Sequence, residues 1–173
     1  MIMERELTDL YKDYGTGLID RREFLAKMAV IAGGTAAASS LLMLLENDYA
    51  LAEIISKDDP RIQSEHINYP GASGDIRANL VTPKVEGKVP GVIVIHEIWG
   101  LNPHIEDVAR RLGVEGFLAL APDALTPVGG TPEDSMKAFT LVRELDNEET
   151  VKNYVAAVKF LQSHPKSNGN VGV

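Results

Sequence analysis

The chain has 173 residues, room for one domain after a long N-terminal extension is set aside, and its 45% apolar content is that of a globular protein. A formal charge of −8 excludes a nucleic-acid-binding face, because neutralising phosphates needs a basic surface. The absence of cysteine excludes disulfides, thiolate metal sites and a cysteine nucleophile within these residues.

In chain order, residues 1–20 are polar and charged, with a short amphipathic helix expected from Leu7 to Tyr14 and a break at Gly15 and Gly17. Asp20, Arg21, Arg22, Glu23, Phe24, Leu25, Ala26 and Lys27 then precede eighteen uncharged residues, Met28 to Leu45. Ala50, Leu51 and Ala52 follow with the small-residue spacing a signal peptidase prefers. The paired arginines, the aromatic and leucine just after them, and a core softened by Gly33, Gly34, Thr35 and Ser39 resemble a twin-arginine export signal. The expectation is an export segment over 1–52, delivery by the twin-arginine machinery to the bacterial periplasm or beyond, and a mature domain over 53–173. The alternative is a membrane anchor formed by residues 28–45.

Residues 62–69 alternate loosely and stop at Pro70 and Gly71; Ala72 to Asp75 reads as a turn, and Ile76 to Thr82 as a return strand ended by Pro83. This predicts an antiparallel hairpin at a sheet edge, with His66 on its surface. Val92 to His96 is apolar on both faces, as in a central strand covered by helices, and Glu97 stands where that strand must end. Asn102 and Pro103 open a helix carrying Ile105, Val108, Ala109 and Leu112, ended by Gly113 or Gly116. Phe117 to Ala121 is a second buried strand closed by Pro122 and Asp123. Strand, helix and strand form a right-handed βαβ unit on a parallel sheet. After a Gly/Pro loop, Pro132 opens a helix to about Leu145. Asn147 caps another, whose apolar stripe is Val151, Tyr154, Val155, Val158 and Leu161 or Phe160, ended by His164 and Pro165. Ser167 to Gly169 turns the chain, and Asn170 to Val173 begins a strand.

Ligands of open α/β sheets bind beyond the carboxyl ends of the strands, which singles out His96, Glu97 and Ile98. His96 and Glu97 open like a zinc-protease helix, but position 100 is Gly100 and the segment is a strand end, so that reading fails. His66, His96, His104 and His164 have no short ligand spacing, and no metal or cofactor is expected. A nucleotide-binding module is excluded too, because no Gly-x-Gly-x-x-Gly follows the central strand and Glu97 would repel a pyrophosphate. His96 reads as a hydrogen-bonded core residue, Asp123 as an organiser of loop backbone, and His104, Asp107 and Arg110 as helix-surface pairing.

Residues Gly91 to Leu112, with the block His96-Glu97-Ile98-Trp99-Gly100, then Gly116 to Asp123 and Ser167 to Val173, resemble the dienelactone hydrolase family of α/β-hydrolases. The resemblance covers about residues 60–173. It implies a three-layer α/β sandwich, the N-terminal half of an α/β-hydrolase sheet ending just before the nucleophile elbow, with an antiparallel hairpin and then parallel strands. It implies a hydrolase of small esters or lactones, whose nucleophile is usually a cysteine in Gly-x-Cys-x-Gly, supported by an aspartate and a histidine further on. Glu97 matches the family glutamate that contacts and activates the nucleophile. Ile98 matches the residue whose backbone N–H is half of the oxyanion hole. Trp99 and Phe139 fall where substrate is bound. Ser135 and Phe139 occupy the places of an arginine and a tyrosine that clamp a substrate carboxylate, which argues against dienelactone itself. Nucleophile, aspartate and histidine fall outside these residues, so the chain alone is expected to be inactive. The alternative is a non-catalytic remnant, or a partner complementing a separately encoded C-terminal half.

Overall fold

The computed structural model describes Leu10, Asp13, Tyr14, residues 18–32 and residues 54–173. The chain divides into two compact units, Met1–Ala52 and Glu53–Val173.

In the first unit, helix α1 (Arg21–Ala32) is capped by Asp20, whose carboxylate accepts the Glu23 N–H at 2.8 Å. Phe24 and Met28, one turn apart, are fully buried with Leu10, and Tyr14 stacks on Phe24 at 4.8 Å. Most of the expected helix at 7–14, the apolar run beyond Ala32 and the small-residue site at Ala50–Ala52 lie outside the described residues. Among those described, no helix is long and apolar enough to cross a membrane.

The second unit is a five-stranded sheet in the order β1-β2-β4-β3-β5. Strands β1 (Ile62–Gly71) and β2 (Gly74–Pro83) form the edge hairpin, paired from Ile62↔Pro83 to Gly71↔Gly74 around Ala72 and Ser73. Strand β2 runs antiparallel to β4 (Leu118–Pro122); β4, β3 (Val89–Ile93) and β5 (Ser167–Gly172) run parallel. Helix α2 (Pro103–Val114) covers one face over Val81, Val94, Ala119 and Ala121. Helix α4 (Asn147–Ser163) covers the other over Tyr69, Leu80, Ile93, Leu118 and Leu120. Each large apolar side chain buried this way contributes about 1.5–3 kcal/mol, so two covered faces explain why β4 is apolar at every position. The hairpin edge, the βαβ unit and the three layers agree with the sequence reading.

The structure corrects several details. The strand expected at Val92–His96 is β3, Val89–Ile93, an interior strand beside the middle strand β4; only the Val94 N–H continues the ladder, to the Leu120 carbonyl at 2.8 Å. Its length is set by its partners. Beyond Val94 the neighbour on one side is Pro122, and the last paired residue of β5 is Gly172, opposite Val92, so Ile95 is 50% exposed. At the other end Pro90 is tolerated because the β3–β5 register shifts between Val89 and Gly91, where a ladder N–H is not required. The expected turn at Ser167–Gly169 belongs to that irregularity, with Gly169 at φ +90.

Helix α3 runs only over Ser135–Val142, not Pro132–Leu145. Asp134 accepts the Lys137 and Ala138 N–H groups at its start, and i→i+3 bonds from Arg143, Glu144 and Leu145 tighten its end. The cap of α4 is Asp146, which accepts the Glu149 N–H at 2.9 Å, rather than Asn147. Its buried face is Asn153, Ala157 and Leu161, while Val151 and Val155, assigned to the apolar stripe, are 62% and 49% exposed. Asn153 faces inward because it holds the hairpin tip: its side chain accepts the Ala72 and Ser73 N–H groups and donates to Ser73 Oγ.

Asp107 and Arg110 are no surface pair. They are 1% and 5% exposed, and they hold the start of the domain: Asp107 Oδ1 accepts the Ile54 and Ile55 N–H groups at 3.0 and 2.8 Å, and Arg110 Nε donates to the Ile55 carbonyl at 2.6 Å.

Candidate functional site

The candidate site is the turn that follows β3. Glu97 to Gly100 is a β-turn closed by Gly100 N–H donating to the Glu97 carbonyl at 3.3 Å, and Ile98 and Trp99 are its central residues, both at negative φ. The N–H of the first central residue of such a turn stands outside the hydrogen-bonded ring. Among the described residues, the Ile98 N–H accordingly donates to nothing. Glu97 is exposed, and its carboxylate has no hydrogen bond or ion pair among the described residues. Strand β5 runs parallel to β3, so its carboxyl end lies at the same edge of the sheet as this turn.

Three anchors fix the turn. His96, partly buried, contacts the Glu97 carbonyl through Nδ1 at 2.6 Å and accepts the Ala124 N–H at Nε2 at 3.0 Å. On the far side, the Leu101 N–H donates to Thr131 Oγ1 at 2.7 Å, and the same hydroxyl donates to Asp123 Oδ1 at 2.8 Å. Between them Gly100 sits at φ +73, where a Cβ would fall 2.2 Å from Thr131 Oγ1, so glycine is required both by conformation and by space. Asn102 then caps α2 by accepting the Ile105 N–H at 3.0 Å.

Asp123 organises the loop after β4, as its position at a strand end suggested. It is 3% exposed and accepts from Leu125 N–H, Thr131 N–H, Thr131 Oγ1 and Arg77 Nη2. Thr131 escaped the sequence reading because no spacing links it to residues thirty positions upstream; the sole hint was a glycine at position 100. A cleft of about 430 Å³ behind this loop is lined by His66, Arg77, Leu101, Glu106, Asp123 and Thr131. Its charged groups and His66 are already joined as Arg77–Asp123 and His66–Glu106 pairs, and neither Glu97 nor Ile98 lines it.

Trp99 and Phe139, which the family resemblance puts near substrate, are brought together. The Trp99 and Phe139 rings are 6.4 Å apart between centroids, and the Arg143 guanidinium lies 4.8 Å from the Phe139 ring centre. Arg143 is one helical turn from Phe139, a spacing legible in the sequence but not used. The Ser135 side chain lies outside what the structure describes. His164 ends α4, as expected; its Nδ1 accepts the Lys166 N–H at 3.2 Å, and burial pushes its pKa down. Among the described residues, no group of three or more His, Asp or Glu side chains is arranged to hold a metal ion.

Comparison with known proteins gives this geometry its context. The chain is 47% identical over 112 residues to the "Putative hydrolase fragment YghX" of Escherichia coli (strain K12), covering 63% of this chain and 96% of that one. It is 33% identical over 117 residues to the "Putative carboxymethylenebutenolidase" of Salmonella typhi, covering 67% of this chain and 43% of that one. Among solved structures, the "Crystal Structure of Putative Dienelactone Hydrolase from Klebsiella pneumoniae subsp. pneumoniae MGH 78578" superposes with a TM-score of 0.57 at 27% identity, over 64% of this chain and 49% of that one. The chain thus spans about half the length of that structure and of the carboxymethylenebutenolidase relative. The pattern of the dienelactone hydrolase family matches residues 76–173, more than half of the chain, and the chain belongs to that family.

Proposed function

We propose that this domain is the oxyanion-side half of a hydrolase acting on small carboxylic esters or lactones. The observation that carries the reading is the Ile98 N–H, unpaired among the described residues, held in an anchored turn beyond β3 next to the exposed Glu97. Attack on an ester carbonyl places a negative charge on its oxygen. A preorganised backbone N–H stabilises that charge without reorganising during the reaction. In the family pattern the nucleophile follows the strand that here is β5, and its own amide supplies the second donor. Glu97 takes the role of the carboxylate that receives the nucleophile's proton and is displaced as substrate enters. Trp99 and Phe139 form an apolar wall at the substrate, and the absence of a clamp at Ser135 and Phe139 favours esters without a carboxylate at that position. By itself the 173-residue chain, with no cysteine, is inactive.

The paired arginines at Arg21 and Arg22 support export of the domain by the twin-arginine machinery to the periplasm or beyond. A second reading, in which the segment works with a separately supplied C-terminal half, is favoured by the relative that this chain matches over 96% of its length.

The test is a chimera of residues 53–173 with the part of a full-length relative that carries the Gly-x-Cys-x-Gly elbow, aspartate and histidine. Hydrolysis of p-nitrophenyl acetate that Glu97→Gln lowers by about a hundredfold supports the reading. A folded chimera without turnover overturns it.

A further inference from the structure

We propose that His96 is the positioning residue of the oxyanion donor. It holds the peptide between Glu97 and Ile98 through the Glu97 carbonyl, and a second bond to the loop after β4 holds the ring. The inference rests on the reading of Ile98 as a donor and adds the device that aims it.

The chemistry of the two partners fixes the state of the imidazole. The Ala124 backbone N–H can only donate, so Nε2, 3.0 Å away, carries no proton. The Glu97 carbonyl can only accept, so Nδ1, 2.6 Å away, carries it. One neutral tautomer satisfies both bonds; the other tautomer breaks both, and the imidazolium breaks the bond to Ala124.

The consequence for Ile98 is geometric. A trans peptide is planar, with its C=O and N–H pointing in opposite directions, so a group that fixes the oxygen of Glu97 also fixes the direction of the Ile98 N–H. The other bond to that oxygen, from the Gly100 N–H, is long at 3.3 Å and belongs to the turn itself, so it moves with the turn. The bond from His96 is shorter. Its ring is tied through Ala124 to the loop after β4 that Asp123 holds, so the orientation of Ile98 is referred to a point outside its own turn.

The experiment uses the 173-residue chain, labelled with ¹⁵N. The wild-type spectrum reads the His96 tautomer from two-bond imidazole correlations, and the Ile98 N–H direction and order from its residual dipolar coupling and order parameter. The expected wild-type result is protonated Nδ1, bare Nε2 and an Ile98 order parameter near the rigid value of about 0.85. An Nε2-protonated ring overturns the proposal without any variant. His96→Asn places an amide N–H at the Nδ1 position and should keep the Ile98 coupling. His96→Gln reaches only the Nε2 position and should change that coupling and lower the order parameter below about 0.6.

Asn153→Ala, which loosens the distant hairpin tip, should leave Ile98 unmoved and serves as the control for general destabilisation. Equal Ile98 signatures in the Asn and Gln variants overturn the positioning role. The donor reading fails separately: an Ile98→Pro chimera of undiminished turnover sinks it, whatever the spectra show of His96.

Discussion

Removing the Asp123 carboxylate should cost the domain several kilocalories per mole. The group is 3% exposed, and its two oxygens receive four donors: Leu125 N–H and Thr131 Oγ1 on Oδ1, Thr131 N–H and Arg77 Nη2 on Oδ2. Asp123→Asn keeps the shape but turns one oxygen into an NH₂ group, so two donors face a donor whichever way the amide lies. Hydrogen bonds to a charged group are worth about 1.5–3 kcal/mol each. Arg77 is half-exposed and can turn to water, so its bond counts for little. The expected loss for Asp123→Asn is therefore about 2–4 kcal/mol, and for Asp123→Ala, which strands buried donors, about 3–5 kcal/mol. In urea, with a slope of about 2 kcal/mol/M, a 3 kcal/mol loss moves the midpoint by about 1.5 M. An Asp123→Asn midpoint within about 0.25 M of wild type would refute this account of the loop.

Gly100→Ala forces a left-handed alanine whose Cβ meets Thr131 Oγ1 at 2.2 Å, so it should destabilise by about 2–3 kcal/mol. Pairing it with Thr131→Gly should recover the steric part, and a thermal-melt double-mutant cycle with no coupling would speak against the contact. Asp107→Ala removes one carboxylate beside buried Arg110, which keeps Glu106 at 3.9 Å, and frees the Ile54 and Ile55 amides. It should lose about 3–5 kcal/mol in urea and speed tryptic cleavage at Lys57; a loss under 1 kcal/mol contradicts the buried clamp.

Burial lowers the His164 pKa below its ordinary 6.5, so the unfolded chain binds the proton more readily. Stability from this group should be complete above about pH 6.5 and decline as pH falls through the folded value. His164→Asn, which keeps an acceptor for the Lys166 N–H, should flatten that part of the stability curve; an unchanged slope would exclude His164 as its source.

The sequence discloses those features that depend on local pattern. The hairpin followed from Gly and Pro punctuation, the βαβ unit from apolar runs either side of an Asn102-capped helix, and the family from the block around Glu97. What it hid depends on contacts distant in the chain. The limits of β3 are set by Pro122 and by the irregularity opposite Pro90, neither visible in the apolar run itself. Asp107 and Arg110 have the i,i+3 spacing of a surface pair, and only the arrival of Ile54 and Ile55 buries them. Val151 and Val155 fit a helical stripe, yet Asn153 takes the inward place because the hairpin tip needs its amide. At the candidate site, the motif pointed to Glu97 and Ile98, whereas Thr131 and the two bonds of His96 exist only once β3 and β4 lie side by side.

The most direct measurement is the turnover of the chimera carrying Ile98→Pro. Proline suits a turn position with negative φ and removes one N–H, leaving the rest of the chain in place. If that N–H receives the developing charge, kcat should fall about 10²- to 10³-fold with KM little changed. A folded Ile98→Pro chimera with kcat within twofold of its parent would contradict the assignment of this turn as half of the oxyanion site.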